Sequence, residues 1–273
     1  MIEGFKFKMM EPYSLEELRV MQLKDLKAQV QDPIEEAIVT YEADFVGILL
    51  EEEKVGYACI GIHEEYEDNI LEYYLKPEYR SYAEAVLKKL AKWKGCKGWI
   101  VNTQDSFALP VMLDLGLKFE ISSYIFAFDS SKDLIFNFEQ GISFELTRVG
   151  ELKEVYDLIM QDDFYTGGDI DTVKARIIRK ELYSLRRDGR LIGVGFVDIL
   201  KRTPRFADIA MIIDRNERGK GLGILLVKAL ICESKARNIT PTALTGISNK
   251  ISRSTLQKAG FHVDGCTLQA QIS

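Results

Sequence analysis

The sequence predicts a mixed α/β protein built from two tandem, related domains. Three observations predict this class. The chain has 273 residues, whereas a typical domain has roughly 150. Strand-like alternation and helix-like spacing of apolar residues follow one another in both halves. Two segments of the first half, beginning near residues 75 and 105, recur in the second half near residues 213 and 249.

The recurring segments indicate an internal duplication. Residues 75–90 and residues 213–228 each combine a strand end, a polar turn and a helix. The later match sets Asp105 against Asn249, and a glycine follows at the same spacing in both copies. Because the two matches occur in the same order and join the same kinds of element, we expect two copies of one fold.

Turn-forming residues mark the boundary between the copies. They occupy residues 129–133 and follow the apolar run of residues 124–128. We therefore expect a first domain over residues 1–130, a linker over residues 131–141 and a second domain over residues 142–273.

Local patterns predict the elements of each copy. The pair Asp188-Gly189 favours a type I′ turn between two strands. Apolar spacing predicts helices at residues 15–30, 151–160 and 221–237, and strands at residues 142–148, 206–213 and 243–247. In the second half the expected order is β-α-β-β-β-α-β-α.

Composition and charge argue against several classes of function, namely membrane, nucleic-acid and metal-binding proteins. No stretch approaches the ~18 uncharged apolar residues of a membrane span, and the first residues lack the order of a signal peptide. We therefore expect a cytoplasmic protein without a membrane partner. A formal net charge of −6 argues against a nucleic-acid partner. The four cysteines are far apart with no C-x-x-C pair, so we expect reduced thiols and no metal site.

A glycine-rich turn, residues 218–223, joins a predicted strand to a predicted helix. Glycines let the backbone approach an anion closely, and the first N–H groups of a helix are unpaired and lie at its positive end. The glycine spacing differs from that of a P-loop or a dinucleotide-binding turn. The alternative is a ligand-free tight turn with Arg218 and Lys220 in solvent. Each glycine in a helical position costs about 0.5–1 kcal/mol, which favours a ligand.

At this turn the sequence resembles the GCN5-related N-acetyltransferase (GNAT) superfamily. The family's signature turn, Q/R-x-x-G-x-G/A, is matched by Arg218, Gly221 and Gly223. A second signature, N-x-x-A/S leading to K-x-G-F, is matched by Asn249, Ser252, Lys258, Gly260 and Phe261. The close resemblance covers residues 206–261 and a looser one covers residues 142–273, while the first half looks like a degenerate copy.

The resemblance implies a fold and a co-substrate. Each domain would be a splayed mixed sheet flanked by helices. Acetyl-CoA would lie between the strand that ends at Ile213 and the strand after Pro241, and no metal is implied. The acceptor would be the primary amine of a small molecule or a peptide. The pyrophosphate would be held by the backbone of Arg218, Gly219, Lys220, Gly221, Leu222 and Gly223.

The resemblance also assigns the rest of the coenzyme. The pantetheine arm would pair with backbone near Met211 and Ile213, and an N–H there could face the thioester carbonyl. Asn249, in the element that includes Ser252, would contact the same arm; the alternative role for Asn249 is to cap its helix.

The catalytic groups match the family less closely. Asp208 is the nearest carboxylate that could act as general base. The family's best-known base falls one position earlier, at Ala207, and a shift of one residue turns a side chain to the opposite face of a sheet. The alternative for Asp208 is an edge or solvent-facing position. The position of the family's usual acid, a tyrosine, holds Leu256.

The first copy departs from the coenzyme pattern. Ala83 and Ala85 replace the two glycines, and Asp105 replaces the asparagine. Because Cβ atoms block backbone approach and a carboxylate repels phosphate, we expect residues 1–130 not to bind acetyl-CoA productively. They would instead form part of the substrate cleft or the domain interface.

Two other functions stay open beside N-acetyl transfer. One is a tandem transferase with another acyl donor, such as aminoacyl-tRNA, which calls for a basic surface that the net charge does not supply. The other is a catalytically weak, coenzyme-binding regulatory protein.

Overall fold

The computed structural model describes residues 4–26, 43–62, 66–129, 134, 136–162 and 168–272. The chain forms two compact units. The first comprises Met1–Tyr124 together with Gly265–Ser273, and the second comprises Ile125–Asp264. Each unit contains a mixed sheet with helices against it, so the predicted α/β class is confirmed.

The first unit has the strand order β1-β2-β3-β4-β5-β12, and β4 and β5 are its parallel pair. Its strands are β1 (Phe5–Met9), β2 (Ala43–Leu50), β3 (Glu53–Gly61), β4 (Asn69–Leu75) and β5 (Gly98–Asn102), joined by the last residues of β12 (Phe261–Gln271). Its helices are α1 (Glu16–Asp25), α2 (Ala83–Lys94) and α3 (Ala108–Asp114). Strand β6 (Phe119–Phe128) contains the boundary between the units.

The second unit has the strand order β11-β10-β9-β8-β7, and β10 and β11 are its parallel pair. Its strands are β7 (Ile142–Leu146), β8 (Leu182–Arg187), β9 (Arg190–Ile199), β10 (Phe206–Ile213) and β11 (Thr240–Gly246). Its helices are α4 (Leu152–Ile159), α5 (Ile170–Ile178), α6 (Leu222–Ala236) and α7 (Lys250–Ala259).

Several predicted elements of the second unit are confirmed. Strand β10 has the predicted bounds, and α6 differs from its prediction by one residue at each end. The turn between β8 and β9 has φ 49° at Asp188 and 81° at Gly189, which is the pair of positive φ angles that a type I′ turn requires. The predicted strand at residues 243–247 begins earlier, at Thr240, and includes Pro241 near its start.

Other elements differ from the prediction. Helix α1 ends at Asp25, and the remainder of the predicted helix at residues 15–30 lies partly outside the described residues. Helix α5 was not predicted. It begins where the Asp169 carboxylate accepts a hydrogen bond from the Thr172 amide at 2.9 Å. Val173 and Ile177 of α5 join the core that α4 forms against β9.

The compact units divide the chain differently from the sequence repeat. Residues 267–271 of β12 pair with β5 in the first unit, from Thr267 opposite Asn102 to Gln271 opposite Gly98. The side chains of Leu268 and Ala270 are buried in that unit. The C-terminal residues are therefore grouped with the first unit, although the repeat continues the second copy to residue 273. The predicted boundary, residues 129–133, lies outside the described residues except for Asp129.

No helix in the described part of the chain is long and apolar enough to cross a bilayer. The four cysteines, all among the described residues, form no disulfide bond. Cys59 and Cys96 are buried, and burial raises the pKa of the Cys96 thiol to about 11. Among the described residues no cluster of His, Cys, Asp and Glu side chains could hold a metal ion.

Candidate coenzyme site

The sheet of the second unit opens beside β10. Strands β10 and β11 pair from Phe206 opposite Thr240 to Asp208 opposite Thr242. Beyond this point β10 continues to Ile213, and it stays paired on its other side with β9 as far as Gly193. The β11-facing edge of residues 209–213 therefore leaves the ladder and carries backbone N–H and C=O groups that an extended ligand could pair with.

The glycine turn begins where β10 ends. A short 3₁₀ turn, Arg215–Glu217, follows Asp214, whose carboxylate accepts a hydrogen bond from the Asn216 amide at 2.8 Å. Gly219 and Gly221 then adopt φ angles of 79° and 78°. Both angles lie in the left-handed region, which costs residues with a Cβ about 1–2 kcal/mol.

The space around the turn fits an anion. A Cβ added at Gly219 or at Gly221 would meet nothing within 4 Å, so both backbones border open space. Gly221 is the N-cap of α6, and its carbonyl accepts the first helical hydrogen bonds, from the amides of Ile224 and Leu225. Within the described residues, the amides of residues 219–223 donate to no backbone acceptor. These donors lie at the positive end of a 15-residue helix.

The two cations of the turn are bound to carboxylates rather than free in solvent. Arg218 donates through Nε to the Ile213 carbonyl and through Nη2 to Asp162, each at 3.0 Å. Lys220 donates to Glu217 at 3.1 Å. Glu217 is buried and also accepts hydrogen bonds from Arg187 and Arg190. The hydrogen bond from Lys220, followed by that from Arg187, lowers the pKa of the Glu217 carboxyl.

Met211 and Ile213 lie on the open segment of β10. Alternation along the strand points both side chains to the face covered by α6. Ile213 packs there against Gly193 of β9 and Gly223 of α6. Their backbone groups, rather than their side chains, thus border the opening, as a pantetheine contact of the predicted kind requires.

Asn249 caps helix α7. Its side-chain oxygen accepts a hydrogen bond from the Ser252 amide at 3.0 Å. The structure therefore shows the capping role that the sequence left open, and the pantetheine contact of Asn249 and Ser252 stays a prediction. Leu256, at the position of the family's usual tyrosine, is buried in α7. That position offers no proton donor.

Asp208 lies at the closed end of the opening. It is the last residue of β10 that pairs with β11, and it stands between Asp198 of β9 and Thr242 of β11. It is half-buried on an interior strand, not on a sheet edge. Ala207, the position of the family's best-known base, is fully buried.

Asp198 is a neighbouring carboxyl that the sequence analysis missed. Its oxygens accept hydrogen bonds from Arg176 Nε at 3.0 and 3.2 Å. Burial raises the pKa of the Asp198 carboxyl, and Arg176 opposes that rise. Residues directly opposite on antiparallel strands share a face, so Asp198 and Asp208 lie side by side. A signal was present in the sequence, since Asp198 interrupts an apolar strand.

The first unit has a comparable opening that its own side chains fill. Strands β4 and β5 pair only from Asn69 opposite Gly98 to Ile70 opposite Trp99. The Arg80 guanidinium lies 4.9 Å from the centre of the Phe107 ring. What remains is a cavity of about 50 Å³, room for one or two water molecules.

Two family models match the chain. The acetyltransferase (GNAT) domain matches residues 13–129, and the FR47-like protein family matches residues 204–269. A comparison with curated protein sequences found no significant match.

Solved structures show the same fold over nearly the whole chain. A GNAT-family acetyltransferase from Colwellia psychrerythraea is 20% identical, with a TM-score of 0.85, over 98% of this chain and 100% of that one. A tandem GNAT protein from the clavulanic acid biosynthesis pathway is 14% identical, with a TM-score of 0.68, over 98% of both chains. A GCN5-related N-acetyltransferase from Sphaerobacter thermophilus is 13% identical, with a TM-score of 0.68, over 98% of this chain and 96% of that one. The chain is thus a tandem, two-domain member of the GNAT superfamily.

Proposed function

We propose that the protein transfers an acetyl group from acetyl-CoA to a primary amine, and that the second unit binds the coenzyme. One observation carries this proposal. The opening between β10 and β11 leads from the half-buried carboxylate of Asp208 to the glycine turn, whose amides border open space. Acetyl-CoA carries a pyrophosphate, then an extended pantetheine arm, and then the reacting thioester at its other end. The glycine turn, the open edge of β10 and Asp208 follow one another in the same order.

The chain supplies the binding groups. The amides of residues 218–223 would hold the pyrophosphate, because they combine free N–H groups with the positive end of α6. The open edge of residues 209–213 would pair with the pantetheine arm as an added strand would. An N–H near Met211 would face the thioester carbonyl. One such donor contributes roughly 2.7–4 kcal/mol to the transition state in measured oxyanion holes.

Acetyl-CoA would supply an activated acetyl thioester. In the overall reaction the amine nitrogen bonds to the acetyl carbon, the carbon–sulfur bond breaks, and one proton passes from the amine to the released thiol. Asp208 would accept the amine proton, directly or through water, and release it to solvent. Since Leu256 has no proton to give, solvent would supply the proton that the leaving sulfur takes up.

The buried Leu256 also favours a second candidate, a coenzyme-binding regulatory protein with little turnover. Such a protein would keep the glycine turn and the open edge of β10. It would not depend on Asp208.

Release of free thiol, measured with a chromogenic disulfide over a panel of amines, distinguishes the two candidates. The N-acetyltransferase requires acetyl-CoA-dependent thiol release with at least one amine. Asp208→Asn should lower kcat with that amine about 100-fold and leave the Kd of acetyl-CoA within about twofold, because Asp208 lies beyond the binding edge. Glu181→Gln, which removes another carboxylate of the second unit, serves as the control.

Coenzyme binding without turnover across the panel would favour the regulatory candidate. Failure of the protein to bind acetyl-CoA at all would overturn both.

A further inference from the structure

We propose that Asp162 is a positioning residue for the coenzyme turn, acting through Arg218. The inference rests on the proposed coenzyme site, and it adds a residue that neither family signature contains. We call Arg218, the Ile213 carbonyl and Asp162 the second-unit clamp.

The clamp joins three parts of the second unit. Arg218 binds the last carbonyl of β10 with Nε and the Asp162 carboxylate with Nη2, each at 3.0 Å. The Asp162 amide in turn donates to the Ile159 carbonyl at 3.0 Å, which ties Asp162 to the end of α4. One guanidinium therefore links the strand end, the turn and the helix end.

The same clamp occurs in the first unit. Arg80, which the repeat matches to Arg218, donates through Nε to the Leu75 carbonyl at 3.3 Å and through Nη2 to Asp25 at 2.5 Å. Leu75 ends β4 and Asp25 ends α1, just as Ile213 ends β10 and Asp162 follows α4. We call these three groups the first-unit clamp.

This repetition indicates what the arginine does. The first unit keeps its clamp although Ala83 stands where the second unit has Gly221, so the clamp does not require the glycines of the proposed phosphate site. Arg218 thus serves the turn through its hydrogen bonds, and the amides next to it are the groups that meet the anion. Gly219, which follows Arg218, has φ 79° and no side chain to hold it in place. Loss of the clamp would leave those amides less well oriented.

The two clamps provide a matched pair of variants. Asp162→Asn should raise the Kd of acetyl-CoA, measured by calorimetry on the full chain, about tenfold, the factor that one charge-assisted hydrogen bond supplies. Asp25→Asn removes the same charge from the first-unit clamp and should leave the Kd within about twofold. Thermal unfolding of both variants reports any general loss of stability.

A second variant separates positioning from charge. Arg218→Lys keeps the positive charge beside the turn but cannot bind two acceptors with a planar fork. It should weaken acetyl-CoA binding as much as Asp162→Asn does, and the double variant should be no weaker than either single variant. Arg218→Lys also provides the test if Asp162→Asn fails to fold.

The outcomes separate this inference from the proposed function. A wild-type protein that does not bind acetyl-CoA overturns the proposed function. A wild-type protein that binds, with Asp162→Asn binding equally well or Arg218→Lys retaining full affinity, overturns the clamp alone.

Discussion

The turn after β4 in the first unit and the turn after β10 in the second unit share one arrangement of hydrogen bonds. They differ in the residues at the start of the following helix. Both begin at the end of a parallel strand, and both are held by an arginine that binds the last strand carbonyl and an aspartate. In the second unit Gly221, the N-cap of α6, borders open space. The matching residue of the first unit is Ala83, the first residue of α2, and its side chain is buried. The arrangement therefore persists in the first unit, which lacks the glycines that the proposed anion site requires.

Gly221→Glu should have the largest effect on the difference between the two turns. It gives the second turn a side chain that is bulkier than Ala83 of the first turn and negatively charged. The substitution adds a Cβ where φ is 78° and sets a carboxylate beside the free amides. We expect the Kd of acetyl-CoA to rise at least about 100-fold, which corresponds to about 2.7 kcal/mol. Calorimetry measures this change.

Gly95→Glu is the control for that variant. Gly95 has φ 80° and an equally open surrounding, but it ends α2 in the first unit. It should lose a similar amount of stability and keep its coenzyme affinity. Equal loss of affinity in both variants would show that backbone strain, not the turn itself, controls binding.

Replacing the two clamp arginines should reveal a smaller difference between the units, in the free energy of unfolding that each arginine contributes. Arg80 binds Asp25 and also lies over the rings of Phe107 and Tyr74, at 4.9 and 5.6 Å. Arg80→Ala should lower the free energy of unfolding by about 2 kcal/mol. Arg218→Ala should lower it by about 1 kcal/mol or less, since the Arg218 side chain is 45% exposed.

Urea denaturation, followed by far-ultraviolet circular dichroism, tests the comparison of the two arginines, because this signal reports the helices and strands of both units. Tryptophan fluorescence adds the transition of the first unit, since both tryptophans, Trp93 and Trp99, lie there. A larger loss of unfolding free energy for Arg218→Ala than for Arg80→Ala would contradict the conclusion that side chains fill the opening of the first unit.

We expect the smallest difference between the units at Asp105 and its counterpart Asn249. It should be seen as a dependence of stability on pH, because Asp105 ionises and Asn249 does not. Asp105 accepts hydrogen bonds from the amides of Phe107 and Ala108, as Asn249 does from Ser252. Burial raises the pKa of the Asp105 carboxyl. Folding therefore favours its protonated form, and this contribution is lost as the pH rises from the unfolded pKa, about 3.9, through the folded one.

Relative to Asp105→Asn, the wild-type protein should thus become less stable as the pH rises above 4. Thermal unfolding of both proteins between about pH 3.5 and pH 7 measures the difference. A difference that stays constant, or that runs in the opposite direction, would show that the capping bonds outweigh burial at Asp105.

Local patterns in the sequence predicted the features that local forces determine. The bounds of β10, the Asp188-Gly189 turn and the glycine turn all follow from backbone preferences within a few residues. Helix α5 could have been found as well, because Asp169 caps it and Val173 and Ile177 are spaced for one buried face.

Features that depend on distant parts of the chain were not predictable. The pairing of Thr267 with Asn102 joins opposite ends of the sequence, and no periodicity specifies which strand β12 selects. The contact of Arg176 with Asp198 likewise needs the register of α5 over β9. The Arg218 clamp needed the position of Asp162, which the repeat alone does not provide.

We propose that the second of the two related units binds the coenzyme and that the first does not. Titration calorimetry of the full chain with acetyl-CoA tests this difference through the stoichiometry of binding. We expect one coenzyme per chain. Two coenzymes per chain would show that the first unit binds as well, and no binding would contradict the coenzyme site altogether.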